Sequence, residues 1–174
     1  MTNLGFKKLT VDNWLEPDKV SSSFVGISTV DGQVHTISGN EWVSCILKPN
    51  LIEAVPTEIR ALFEVARSAL AYGYFFYPLY TLAGEQLFRV AETAVNLKCK
   101  EMGAPRSKDT FQQKVNYLIQ IKAIPQQKKE TWNAIRRLRN IASHPELQPI
   151  LPPGPVIGIV EGIANEINSL FSGA

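Results

Sequence analysis

Along the 174-residue chain the spacing of apolar and polar positions changes once, near Pro56. Before it, two runs rich in β-branched residues, 24–30 and 33–37, flank Asp31-Gly32. An Asp-Gly pair between such runs predicts a hairpin, because both central residues of a type I′ turn need positive φ. A two-residue turn pairs Val30 with Gln33 and puts Val25, Ile27, Thr29, Val34 and Thr36 on the more apolar face. His35 falls on the other face beside Ser28. The pattern brings no carboxylate or second imidazole near it, so it reads as a surface residue. Residues 40–47 suit a short helix and a further strand equally.

From Pro56 the spacing is helical. Ile59, Leu62, Phe63, Ala66 and Leu70 recur at i, i+3, i+4, i+7 and i+11, and Pro56 suits a first turn. The aromatic stretch Tyr72, Tyr74, Phe75, Phe76, Tyr77 and Tyr80 follows, interrupted by Gly73 and Pro78. It suits helix-junction packing, or an exposed patch for a partner subunit or for base stacking. Pro78 separates two helices or kinks one. The next helix spans roughly 79–102, with Ala83, Leu87, Val90, Ala91, Ala94 and Leu97 on one side and Glu85, Arg89, Glu92 and Asn96 opposite. Glu85 and Arg89 have the order of a surface ion pair, and the same polar face could supply partners for a basic motif.

Gly103-Ala104-Pro105 stops that helix. Thr110-Phe111-Gln112-Gln113 has the form of a capping box, and Phe111, Val115, Leu118, Ile119 and Lys122 trace a third helix. Ile124-Pro125 ends it, and Pro125 can open a fourth. Five prolines between 145 and 155 predict an extended connector. A last helix carries Val156, Ile159, Val160, Ile163, Ile167, Leu170 and Phe171 on one stripe. The expected fold is mainly α: a four- or five-helix up-and-down bundle over residues 55–174, with a small N-terminal β-hairpin element in an extension, residues 1–54, packed on it.

Composition is that of an ordinary globular chain, 45% hydrophobic and 20% charged. No apolar run approaches the roughly 18 residues of a membrane span, so no membrane partner is expected. The start, MTNLGFKKLTVDNW, lacks the apolar core of a signal peptide and predicts a cytoplasmic protein. Cys45 and Cys99 are too few and too separated for a disulfide framework or a metal site, and neither metal nor cofactor is expected. The net charge of +2 is unevenly spread: residues 95–145 hold eleven Lys and Arg against three acids, +8, which leaves −6 for the rest. Solvated helix faces account for such a surplus, and so does a surface for a polyanion such as RNA.

The surplus surrounds Leu138-Arg139-Asn140-Ile141-Ala142-Ser143-His144-Pro145, the last turns of the fourth helix. On an ideal wheel with His144 at zero, Asn140 lies at about −40°, Arg137 at about +20° and Asn133 at about −20°. These four form one polar stripe. Ile135 and Ala142, flanked by Leu138 and Trp132, face the bundle. Arg139 falls between Ile135 and Trp132, about 140° from His144, so a regular helix separates the two. Loosening of the helix before Pro145, a second subunit, or a structural Arg139 would each resolve this. A structural Arg139 needs a carboxylate or several carbonyls, since an unpaired buried guanidinium is very costly. His144 could equally act as a helix-terminal imidazole interacting with the last carbonyls.

Arg139-Asn140-Ile141-Ala142-Ser143-His144 resembles the Arg-x4-6-His motif of the HEPN superfamily, small all-α proteins that carry it at the end of a bundle helix. The wider layout is similar too. It has a helix reading Glu85-Gln86-Leu87-Phe88-Arg89-Val90-Ala91-Glu92-Thr93-Ala94, a short helix ending Ile121-Lys122-Ala123-Ile124, and then Ile135-Arg136-Arg137-Leu138-Arg139-Asn140. The similarity covers about residues 56–171. It implies a metal-independent endoribonuclease of a toxin–antitoxin, phage-defence or RNA-processing system, working as a homodimer. His144 would be the acid/base, Arg139 would stabilise charge on the scissile phosphate, and Asn140 would orient the phosphate or the histidine. Arg136, Arg137, Lys128 and Lys129, with Asn133 on the stripe, could hold flanking phosphates. RNA and an antitoxin or regulatory protein are the implied partners. Family members that keep the fold as binding modules for RNA, nucleotide or protein supply the alternative.

Overall fold

The computed structural model of the chain describes residues 6–28, 30–142 and 153–172. Near its start the chain is tied onto the aromatic stretch. The Asp18 N–H donates to the Tyr74 carbonyl (3.0 Å), and the buried Asp18 carboxylate accepts from the Val20 (3.0 Å) and Tyr77 (3.4 Å) N–H groups.

The hairpin is present, with a different register from the one its Asp-Gly pair suggests. Strands β1 (Val25–Ile27) and β2 (Val34–Thr36) pair antiparallel as Val25↔Thr36, Gly26↔His35 and Ile27↔Val34. The Ser28 N–H donates to the Gln33 carbonyl (2.9 Å), so Ser28 rather than Val30 closes the ladder against Gln33. Local side chains favour the wider loop. The Asp31 carboxylate accepts from the Gln33 N–H (3.1 Å) and the Ser28 hydroxyl accepts from the Val30 N–H (3.3 Å), while Gly32 takes the left-handed conformation (φ 71°). A shift of two keeps each residue on its expected face. The apolar face is nevertheless turned to solvent: Val25, Ile27 and Val34 are 63%, 71% and 66% exposed.

Residues 40–47 are helical, within α1 (Gly39–Leu47). A reciprocal capping box opens it, the Ser38 hydroxyl accepting from the Glu41 N–H (3.3 Å) and the Glu41 carboxylate from the Ser38 N–H (2.8 Å). The Trp42 indole N–H donates to the Leu70 carbonyl (3.0 Å), fixing α1 to α2 (Thr57–Tyr72). On α2, Ile59, Phe63, Ala66 and Leu70 are buried as their spacing predicts. Pro78 caps α3 (Leu79–Glu101), so it separates two helices. Between them Gly73 is packed so tightly that a Cβ would overlap the buried Tyr80 ring. Tyr74 and Tyr80 are core residues and Tyr72 is exposed, so the aromatic stretch serves mainly as helix-junction packing.

The expected capping box opens α4 (Phe111–Gln120), with Thr110 accepting from the Gln113 N–H (3.2 Å) and Gln113 from the Thr110 N–H (3.1 Å). Lys122 is not helical, contrary to the expectation that it continues this helix. Its φ is 63°, and its N–H folds back on the Ile119 carbonyl (3.0 Å). After Pro125 one 3-10 turn (Gln126–Lys128) leads into α5 (Lys129–Ala142). The last helix, α6, is Pro153–Phe171. Pro153 and Pro155 therefore belong to its first turn and not to a connector, because first-turn N–H groups have no intrahelical acceptor and proline's φ is already helical. The rest of the proline-rich stretch lies outside the described residues.

The described residues are mainly helical, in six α-helices with one two-stranded antiparallel hairpin. Helix α3 contacts α2, α4, α5 and α6, and one hydrophobic core runs from Trp42 of α1 through Phe63, Tyr80 and Leu87 to Trp132 and Ile163. No described helix is long and apolar enough to cross a membrane.

Candidate nucleic-acid site on helix α5

Helix α5 is held by Trp132 and Ile135, both buried against α3 and α4. Leu138, expected to flank this face, is 37% exposed and marks where the helix leaves the core. One position further on, Arg139 projects from the last turn toward α3. Its Nη2 lies 3.2 Å from Oε2 and 3.5 Å from Oε1 of Glu92, and its Nη1 lies 3.4 Å from Oδ1 of Asn140. The carboxylate that a structural Arg139 requires is thus supplied by the polar face of α3. Its position between Ile135 and Trp132 on the wheel is what aims it there. The pair is partly solvated, with the Arg139 and Glu92 side chains 45% and 32% exposed.

Beneath this pair Phe88, Phe111 and Ile135 form an apolar floor with Arg136 at its side. The Arg136 Nε is buried and has no hydrogen-bond partner among the described residues. Arg137 and Asn140 are exposed, and Asn133 is half-buried with its amide donating to the Glu130 carboxylate (3.3 Å). Asn133, Arg137 and Asn140 thus occupy the polar stripe read from the wheel. His144, its fourth member and the expected acid/base, lies outside the described residues.

The two lysines ahead of the helix differ. Lys129 is its half-buried first residue. The Lys128 ammonium is committed across the fold, 2.6 Å from the buried Glu166 carboxylate on α6. Of the residues nominated for RNA, the structure gathers Arg136, Arg139 and Asn140 at the end of α5 and gives Lys128 a counter-ion elsewhere.

Two charge clusters went unread in the sequence. His35 meets a carboxylate after all, its Nε2 lying 2.8 Å from Glu41 Oε1. The Ser38-x-x-Glu41 spacing is a capping-box pattern that the sequence reading passed over, and the approach of β2 to α1 has no local signature. The Glu41 carboxyl is held down at about 2, first by the Ser38 backbone N–H, then by the Ser38 hydroxyl and the His35 ring. Arg67, buried on α2, donates to the Leu47 (3.3 Å) and Pro49 (3.0 Å) carbonyls and pairs with Glu64. It ties down the loop after α1 and reads as structural. Among the described residues no cluster of three or more His, Cys, Asp or Glu side chains could hold a metal ion. No family model, curated protein or solved structure matches the chain.

Proposed function

We propose that the chain is a HEPN-like, metal-independent endoribonuclease of a defence or toxin-type system, acting in the cytoplasm as a homodimer under an antitoxin or other regulatory protein. The observation that carries this reading is the Arg139 guanidinium with Asn140 beside it, on the exposed last turn of a basic helix and five positions before His144 in the sequence. A guanidinium matches phosphate oxygens, and an imidazole can exchange a proton near neutral pH. In the proposed reaction His144 removes the 2′-OH proton and the 2′-oxygen attacks the adjacent phosphorus. The 5′-oxygen then leaves, taking a proton from an imidazolium. The products are a 2′,3′-cyclic phosphate and a 5′-hydroxyl end. Arg139 stabilises the charge that builds on the phosphate, Asn140 orients it, and Arg136, Arg137 and Lys129 contact flanking phosphates. A two-fold axis at this helix would bring the Arg139 of one protomer toward the His144 of the other.

Incubation with mixed RNA in chelator tests the reading, with His144→Ala and Arg139→Ala in parallel. Cleavage to cyclic-phosphate ends is expected from the wild type. Each variant should lose at least about a hundredfold, the scale of a missing acid/base or charge-stabilising group. Absence of cleavage by folded, dimeric protein over a broad substrate set would overturn it.

One observation favours a second reading, a non-catalytic module of the same fold that binds RNA, nucleotide or protein. The Glu92–Arg139 pair is a helix-to-helix contact that a purely structural arginine would also make. RNA binding that needs Arg139 and Arg137, without cleavage, is its signature.

A further inference from the structure

Helix α4 begins beside the candidate site and passes the end of α3. At its start Phe111 shares the apolar floor with Phe88, Ile135 and Arg136, and its ring lies 6.3 Å from that of the buried Trp132. Farther along, the Tyr117 hydroxyl donates to the Met102 carbonyl (2.8 Å). The helical rise from Glu92, at the floor, to Met102 is about 15 Å. The loop 103–110 therefore leaves α3 at its end and returns along it to the level of the site. This loop is basic. Arg106 is exposed and Lys108 half-buried, and neither has a carboxylate at ion-pair distance among the described residues, although Asp109 adjoins Lys108. Lys98 and Lys128 make the contrast, being paired with Glu101 (3.0 Å) and Glu166 (2.6 Å). Chain length alone keeps the Lys108 Cα within about 11 Å of that of Phe111, and the Arg106 Cα within about 18 Å. Uncompensated charge this close to Arg136 continues the basic surface of α5 across the floor and onto the loop.

We propose that the α3–α4 loop is the second wall of an RNA path. Arg106 and Lys108 hold phosphates of a single strand on the α4 side of the floor, as the polar stripe does on the α5 side. This rests on the RNA-directed reading above and narrows its substrate to a strand of several nucleotides, gripped on both sides of the scissile phosphate. Contacts of this kind position the strand and carry no sequence information. Each releases counter-ions and so adds about 0.7 to the slope of log affinity against log salt for a single strand.

The test is equilibrium binding of a fluorescent single-stranded RNA of about twelve nucleotides to full-length protein over a salt series. 2′-O-methyl sugars block attack by the 2′-oxygen and keep the probe intact. The double variant Arg106→Gln, Lys108→Gln should flatten the salt slope by about 1.4, the worth of two contacts, and bind several-fold more weakly at low salt. Arg106→Lys with Lys108→Arg keeps both charges and should retain the wild-type slope. Lys8→Gln with Lys19→Gln removes the same net charge from exposed lysines near the start of the chain and should change the slope by less than half as much. An unchanged slope in the loop variant overturns the proposal. So does an equal change in the Lys8 and Lys19 variant, or an equal loss when the loop charges are kept. Cleavage of unmodified RNA separates the two claims. If the wild type cleaves and the loop variant keeps its slope, the ribonuclease reading stands and the loop falls. If the loop sets the slope but nothing is cleaved, the loop stands and catalysis falls. If the wild type neither binds nor cleaves RNA, both fall.

Discussion

The Glu41 carboxylate accepts from the Ser38 N–H (2.8 Å), the Ser38 hydroxyl (2.8 Å) and the His35 ring (2.8 Å), and these donors all favour its charged form. A carboxyl whose pKa is lowered by folding stabilises the fold above its unfolded value and stops doing so as pH falls through the folded one. For Glu41 that window runs from 4.5 down to about 2. Acid in this range should loosen the α1 N-terminus and its link to β2, seen as faster amide exchange across α1 while α3 stays protected. Ser38→Ala removes the hydroxyl donor but keeps the backbone N–H and the His35 ring, so it should weaken this pH dependence without abolishing it, and cost about 1 kcal/mol in urea denaturation through the lost helix cap. Part of this cluster was legible, because Ser-x-x-Glu is a contiguous pattern. The His35 contact was not, since it depends on the hairpin register and on where β2 lies against α1.

At the scale of elements, each helix from Pro56 onward follows from periodicity and from short-range stops: Pro78, Gly103, the Thr110–Gln113 box and Pro125. The misreadings cluster at junctions. Asp-Gly favours a two-residue turn, but the Asp31 and Ser28 side chains close a wider loop. At Lys122 a left-handed residue turns the chain where continued spacing suggested helix. Glycine content shows the same limit, because identical residues carry opposite consequences. Gly73→Ala would drive a methyl into the Tyr80 ring and should cost about 1–3 kcal/mol, as overpacking does. Gly158 and Gly162 lie on the exposed face of α6, where an added Cβ meets nothing within 4 Å. Changing either to Ala should stabilise the protein by about 0.5–1 kcal/mol through helix propensity. Thermal melts of the three variants check this. A stabilised Gly73→Ala would show that the α2–α3 junction repacks freely.

Across the whole molecule, polar contacts join segments far apart in sequence, and these decide which basic groups remain for a ligand. Asn168 of α6 accepts from the Ile52 N–H (2.9 Å) and donates to the Asn50 carbonyl (2.8 Å), bracing the loop before α2. Lys128 reaches Glu166 on the same helix. Sequence places Lys128 with Lys129 and the α5 arginines as one basic run. Only the packing of α6 reveals that its charge balances a buried carboxylate. The consequence separates Lys128 from Arg137, which is exposed on the stripe. Lys128→Met should leave Glu166 uncompensated and cost about 1–3 kcal/mol of stability, the lower end reflecting the lysine's half exposure. Adding Glu166→Gln should recover most of that loss, as expected when one buried charge is the cause. RNA affinity, measured where the folded population is saturated, should change little in Lys128→Met and fall several-fold in Arg137→Gln, with a shallower salt dependence. If Lys128→Met instead weakens RNA binding as much as Arg137→Gln while leaving the denaturation midpoint unchanged, then Lys128 serves the ligand, and its contact with Glu166 is incidental.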